Sequence, residues 1–196
     1  MMVLYGAALL AVLVECGQTA PTPEECEDLV KPLEESEFYK ISGRWILLEA
    51  YCDYKTAGET LLETNSTWSD FLPAADNKTF ILQQGIMHEE TCVFYSVNMT
   101  VVNNTLVANN GNDTNIASFL QTCPECLIIH DNVTSRGKLV QYLLVYGNTS
   151  KLPDPVLETI RKQAECLKFQ QPPQFTYDGV AELCTQKTED KDRMDK

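Results

Sequence analysis

The residues with the widest chemical reach are the sulfurs. Cys123-Pro124-Glu125-Cys126 is a Cys-x-x-Cys, the spacing of a thiol–disulfide redox centre or of half a zinc site. A zinc site needs further ligands, yet no second Cys-x-x-Cys occurs and His88 and His130 show no ligand spacing, so no metal is expected. A redox centre of this type normally sits within a βαβ pattern, and none surrounds the motif. The expectation is a local structural bridge, or pairing of one member with Cys52. The enzymatic alternative makes Cys123 and Cys126 a thiol oxidoreductase, or Cys52 the thiolate nucleophile of an isomerase. Both need a low thiol pKa, which comes from a helix N-terminus or a nearby cation, and the surrounding residues are mostly apolar or acidic. No catalytic residue and no cofactor is therefore expected.

The remaining cysteines read as structural. Of the eight in the chain, Cys26, Cys92, Cys166 and Cys184 lie far apart. Bridges closing such long loops restrict the unfolded chain by about 3–5 kcal/mol each in the entropic account. Most thiols pair only in an oxidising compartment, and two other features point to one. Met1 to Val14 is almost entirely apolar and stops at Glu15, too short to span a bilayer but suited to a signal peptide cleaved between Cys16 and Ala20. Seven N-glycosylation triplets follow, at Asn65, Asn77, Asn98, Asn103, Asn112, Asn132 and Asn148. The expected organisation is a signal peptide over 1–20, one domain over 21–184 and a disordered, charged tail over 185–196. Secretion into plasma or another body fluid follows.

The formal charge of -13 argues against nucleic acid and anionic membrane surfaces as partners, and reads as a solubility feature. No stretch beyond the first residues reaches the roughly 18 apolar residues of a membrane helix. Small-molecule burial and protein recognition remain.

These residues must be positioned by strands. Between Gly43 and Gly147, short apolar or alternating runs are separated by Asn, Asp, Gly and Pro, the pattern of an antiparallel all-β sheet. The runs are Gly43–Asp53, Thr64–Pro73, Thr79–Gln84, Cys92–Val102, Thr105–Asn109, Asn115–Thr122, Leu127–Asp131 and Leu139–Tyr146. Eight such strands suit an up-and-down barrel able to hold one small ligand; a sandwich is the alternative. One helix follows, with Asp154 as N-cap, Pro155 at its first position, and Leu157, Ile160, Ala164 and Leu167 as an apolar stripe that must dock outside the barrel. Pro21 to Pro32 reads as a Pro-rich, acidic approach segment.

Ser42-Gly43-Arg44-Trp45 resembles the Gly-x-Trp motif that opens the first strand of lipocalins. Cys26 to Leu29 before it, Asn77-Lys78-Thr79 and Cys92-Val93-Phe94-Tyr95 after it, Leu143 to Tyr146, and Glu165-Cys166-Leu167 complete a series of landmarks. Together they resemble the orosomucoid (alpha-1-acid glycoprotein) group, and Pro21 to Glu27 is most similar to its fish saxitoxin- and tetrodotoxin-binding branch. Apolipoprotein M is a more distant similarity. The Thr-Asp-Tyr turn of the second lipocalin motif and a late Arg to pack on the first-strand Trp are absent.

The resemblance implies bridges Cys26–Cys166 and Cys92–Cys184, and a ligand cup inside the barrel. With Asn98 pointing outwards to carry a glycan, alternation turns Val93, Tyr95, Val97 and Met99 inwards and Phe94 and Ser96 outwards. With Trp45 as the plug of the closed end, Leu47, Glu49 and Tyr51 follow it inwards. Phe71, Phe80, Leu82, Tyr142, Leu144 and Tyr146 match inward positions of the family. Glu49 is either a carboxylate within this cup, which costs several kcal/mol unless protonated or met by a cation, or a residue of the rim or outer face. The inward option implies a small hydrophobic, amphipathic or cationic ligand, with aromatic rings beside the carboxylate. The competing expectations are a side-chain-filled core and a monomeric acute-phase or immunomodulatory glycoprotein that engages a cell-surface receptor, with the barrel as scaffold.

Overall fold

The computed structural model describes residues 20–54, 61–76, 78–120 and 123–185. All but Ala20 of the expected signal peptide, all but Thr185 of the expected tail, and Asn77 lie outside the described residues.

Eight long strands form one antiparallel ring: β1 (Gly43–Cys52), β2 (Thr64–Pro73), β3 (Thr79–His88), β4 (Thr91–Val102), β5 (Thr105–Asn110), β6 (Asp113–Leu120), β7 (Cys126–Ser135) and β8 (Lys138–Gly147). Each pairs with its neighbour in sequence, and β1 pairs with both β8 and β2, which closes the sheet. This is the barrel and not the sandwich. Two hairpins are set by local chemistry. Asn103-Asn104 and Arg136-Gly137 place both turn residues at positive φ (48°, 62° and 50°, 76°), the turn whose twist matches that of the flanking strands. Gly43 sits at φ 109°, a conformation that needs glycine and gives the first residue of Gly-x-Trp its reason.

A 3-10 helix, Glu35–Ile41, covers one end of the barrel. It inserts Phe38, whose ring meets Phe80 at 6.3 Å and Phe119 at 5.5 Å, while Phe71 meets Phe119 at 5.6 Å. The Trp45 indole donates to the Ile41 carbonyl at 2.9 Å, and Asn104 holds the cover through Glu34 and Glu35. This end is filled with aromatic side chains.

Outside the barrel, Ile160 and Ala164 of α2 (Asp154–Cys166) pack with Leu152 and Phe169 onto Leu48, Ile128, Leu143 and Val145. The helix starts one residue earlier than expected: Val156 and Leu157 donate to the Pro153 carbonyl, so Pro153 is the N-cap and Asp154 lies in the first turn. The approach segment contains a further helix, α1 (Pro23–Leu29), begun by a capping box between Thr22 and Glu25. Cys26–Cys166 pins α1 to α2, and the buried Gln163 donates to the Leu29 carbonyl at 2.7 Å.

A short last strand, β9 (Phe175–Thr176), solves a problem at the other end. β1 and β2 pair only over Gly43–Ile46 and Trp68–Phe71, so beyond that point they diverge. Residues 174–177 run along β1 there, bonding to Ala50 and Leu48 and turning Phe175 into the core. The chain then crosses β2, where Trp68 donates to the Cys184 carbonyl at 2.7 Å and Cys184 is bridged to Cys92 of β4. Arg44 stacks 3.9 Å from the Trp68 ring and reaches Asp70 at 3.3 Å. A Cβ on Gly85 would lie 2.5 Å from the Trp68 indole nitrogen, so glycine is what lets the indole lie flat on β3.

Candidate ligand-binding site

Side-chain alternation from the buried Trp45 and Met99 defines what faces the barrel axis. The half near the 3-10 cover is packed: Phe71, Phe80, Met99, Leu106, Phe119, Leu127 and Tyr146 are buried together with Trp45 and Leu47. In the other half the inward residues keep contact with solvent. Leu82, Val97, Tyr142 and Leu144 are half-buried, and Tyr95, which pairs with Gln84 on the inner face, is 53% exposed. Side chains that face the axis and still meet solvent make this the open half of the barrel. The wall is also parted, because β4 pairs with β5 only over Thr100–Val102 and Thr105–Val107.

Of the expected cup residues, Leu47, Phe71, Phe80, Leu82, Val97, Met99, Leu144 and Tyr146 belong to or pack on the interior cluster. Tyr95 lies on the same face of β4 as Val97 and Met99, and Tyr142 on the same face of β8 as Leu144. Glu49 and Tyr51 do not join them. A β-bulge between Leu47 and Glu49 shifts the register, so Ala50 takes the inward position and Tyr51 points out, among Leu48, Leu143 and Phe169. An extra residue reverses the alternation, which is why counting in twos from Trp45 fails. The Tyr51 hydroxyl donates to Glu49 at 2.9 Å, and burial beside that carboxylate pushes the phenol pKa up. Glu49 is thus satisfied within the wall, and the outer of its two expected placements is the observed one.

Alternation brings a different carboxylate inside. In one ladder row across the sheet stand Cys52, Tyr142, Asp131, Ala117 and Leu106. Asp131 is buried, and its Oδ2 accepts from Asn115 Nδ2 at 2.9 Å. Its other oxygen, Oδ1, and the Oδ1 of Asn115 have no hydrogen-bond partner among the described residues. Burial raises the Asp131 pKa to about 6, against a smaller lowering by the Asn115 bond. On the β2–β3 side, Gln84 donates to Ser69 at 2.9 Å and Ser69 to the Tyr146 hydroxyl at 3.1 Å. Burial pushes the Tyr142 and Tyr146 phenols up to about 12, so both keep their protons at neutral pH. The interior is an apolar cup with one polar chain and one under-bonded acid–amide pair.

Asp131 was legible in principle. Asn132, on the next position, opens an acceptor triplet, and an outward Asn132 requires an inward Asp131. Of the acceptor asparagines, Asn65, Asn98, Asn103, Asn112 and Asn148 are exposed, while Asn132 is half-buried and accepts from Gln141 at 2.8 Å.

The raised acid makes stability depend on pH. The folded Asp131 binds its proton more tightly than the unfolded residue does, at about 6 against 3.8, so stability falls as pH rises through that window. Asp131→Asn should raise unfolding free energy by roughly 2–3 kcal/mol at pH 7.5 and by little at pH 4. Urea denaturation at the two pH values checks this, and an equal gain at both would show that charge is not the cause.

The sulfur chemistry is quiet. Cys123 and Cys126 are bridged to each other, and Cys52 is the free, buried thiol among the described cysteines. Burial raises its pKa, the opposite of what a nucleophile needs. No cluster of three metal-ligating side chains occurs among the described residues, and no helix among them is long and apolar enough to cross a membrane.

No family model matches the chain. It is 26% and 27% identical to saxitoxin and tetrodotoxin-binding proteins 1 and 2 of Takifugu pardalis, over 93% of its own length and 50% of theirs. The chain therefore spans about half the length of the curated relatives it matches. Among solved structures it is similar to the siderocalin Ex-FABP, with TM-score 0.63 and 8% identity, covering 76% of this chain and 97% of that one. It is likewise similar to lipocalin 12 from rat epididymis, with TM-score 0.63 and 13% identity over 79% of this chain and 90% of that one. A dog lipocalin allergen gives TM-score 0.57 and 17% identity, covering 67% and 89%.

Proposed function

We propose that this chain, which has the lipocalin fold and resembles pufferfish toxin-binding proteins over nearly its whole length, carries a small organic molecule in its barrel. The observation that carries the reading is the solvent-exposed but inward-facing set Leu82, Tyr95, Val97, Tyr142 and Leu144 above a packed aromatic floor. A cup of this composition favours a ligand with an apolar body, held by burial and oriented by the few polar groups at its side. The ligand class is hydrophobic, amphipathic or cationic; the relatives are named for binding two small molecules, saxitoxin and tetrodotoxin. Catalysis plays no part in this reading, since the interior thiol is deactivated by burial.

The chain acts as a secreted, N-glycosylated monomer. Its apolar first residues, its acceptor asparagines and the three disulfides among the described residues support secretion. Exposed acceptors on the outer surface leave the cup free for the ligand.

The test fills the cup. Leu144→Trp puts an indole into the open half, and affinity for a neutral fluorescent hydrophobe should fall at least about tenfold, with the circular dichroism spectrum unchanged. Unchanged affinity in the filled variant would count against carriage inside the barrel.

A further inference from the structure

Two buried acceptor oxygens inside the barrel are without donors among the described residues. Asp131 is 8% exposed, and neither its Oδ1 nor the Oδ1 of Asn115 is reached by any hydrogen-bond donor of the described residues. Such groups lose their hydration on burial and recover it only through a partner, so their pairing on one wall of the cup is a place built to be completed. Asn115 already spends its amide on Asp131 Oδ2, which fixes both oxygens on the β6–β7 wall.

The flanking groups narrow the partner. Ala117 stands opposite Asp131 on β6, and Tyr142 opposite it on β8. The other titratable groups whose fields act here are Tyr146 on β8, Cys52 at the end of β1 and Asp53 just after it, all of them neutral or acidic. Among the described residues, no lysine, arginine or histidine contributes to the environment of Asp131. The adjacent His130 points the other way, its ring on Phe169 outside the barrel. A complementary ligand group therefore brings positive charge and N–H donors, and the phenol ring of Tyr142 adds a face for a cation.

We propose that Asp131 and Asn115 form the polar subsite of the cup, selecting organic cations with at least two N–H donors, such as a primary ammonium or an amidinium, on an apolar body. This rests on the carriage reading. The subsite reads hydrogen bonds as well as charge: one N–H goes to each orphan oxygen, and a quaternary ammonium has none to give. Protonation of Asp131 removes the charge and fills one acceptor, so the same pair discharges such a ligand in acid.

The experiment compares three probes by fluorescence titration of the full glycoprotein: dansylcadaverine, its N-acetyl derivative and its trimethylammonium derivative. The wild type should bind the primary amine at least about tenfold more tightly than the other two at pH 7.5. Asp131→Asn should abolish the preference of the amine over the acetylated probe. In the wild type the preference should vanish as pH falls through about 6, an arm that needs no variant. Equal affinity for amine and acetylated probe, or a preference that survives Asp131→Asn, overturns the subsite and leaves carriage standing. A trimethylammonium probe that binds as tightly as the amine overturns the hydrogen-bond selection. Failure of all three probes to bind overturns carriage and the subsite together.

Discussion

Replacing Cys92 and Cys184 together by serine should lower unfolding free energy by about 4 kcal/mol, the largest single effect expected outside the interior. The bridge closes a separation of 92 residues, for which the chain-entropy account gives about 4–5 kcal/mol. It also holds a segment with little other support. Residues 174–184 reach the barrel through β9, two residues long, through Gln174 and Tyr177, and through bonds from Ser66 to the Glu182 carbonyl and from Trp68 to the Cys184 carbonyl. Without the bridge that strap should open locally before the barrel does, uncovering Trp68 and the gap between β1 and β2. Guanidinium denaturation followed by Trp68 fluorescence and by circular dichroism would show it: the fluorescence transition should precede the dichroism transition in the double variant. Coincident transitions at the wild-type midpoint would show that the strap is held by its non-covalent contacts alone.

Phe119→Ala should cost about 3–5 kcal/mol, the range for a large aromatic removed from a packed core. The Phe119 side chain is fully buried, and its ring is the common neighbour of Phe38 and Phe71. It is the keystone of the floor that separates the open half of the barrel from the 3-10 cover. The functional consequence differs from that of a plain loss of stability. Deepening the cup should let longer apolar ligands bind more tightly relative to short ones, measured with a series of fatty amines of increasing chain length. A variant that loses stability without any change in chain-length preference would place the floor elsewhere.

Much of this architecture could be read from residue order. The eight strands, their spacing and the external helix follow from alternation, turn residues and one apolar stripe, because each is specified by neighbours in sequence. What escaped was specified by distant residues or by a single inserted one. β9 has two residues and exists because β1 and β2 part, which no local pattern announces. The bulge at Leu48 likewise leaves no compositional mark, and it sends Tyr51 to the outer face and Glu49 into the wall. α1 is a different case, since Thr22-Pro23-Glu24-Glu25 carries both capping-box residues and a proline at the first position. There the signal was present, and the prolines and acids around it read more strongly as an irregular segment.

The site was legible to the same degree. Residues on regular strands take inward positions, those of β4 as alternation from Asn98 assigns them and those of β3 and β8 as the family resemblance implies. The carboxylate inside the cup is Asp131 and not Glu49: alternation carried forward from Trp45 crosses the bulge, whereas alternation from Asn132 crosses none. A glycan acceptor on a regular strand is the better anchor for this kind of reading. Arg44 gives a parallel lesson, for the arginine that stacks on an indole precedes Trp45 and serves Trp68.

The most direct test is to locate a ligand in the protein itself. A crystal of the chain grown with a bromine-labelled amphiphile should show its anomalous signal inside the barrel, among Leu82, Val97 and Leu144. A signal found instead in the cleft of about 490 Å³ at the closed end, among Leu33, Lys40, Trp45, Pro124 and Leu127, would contradict the account.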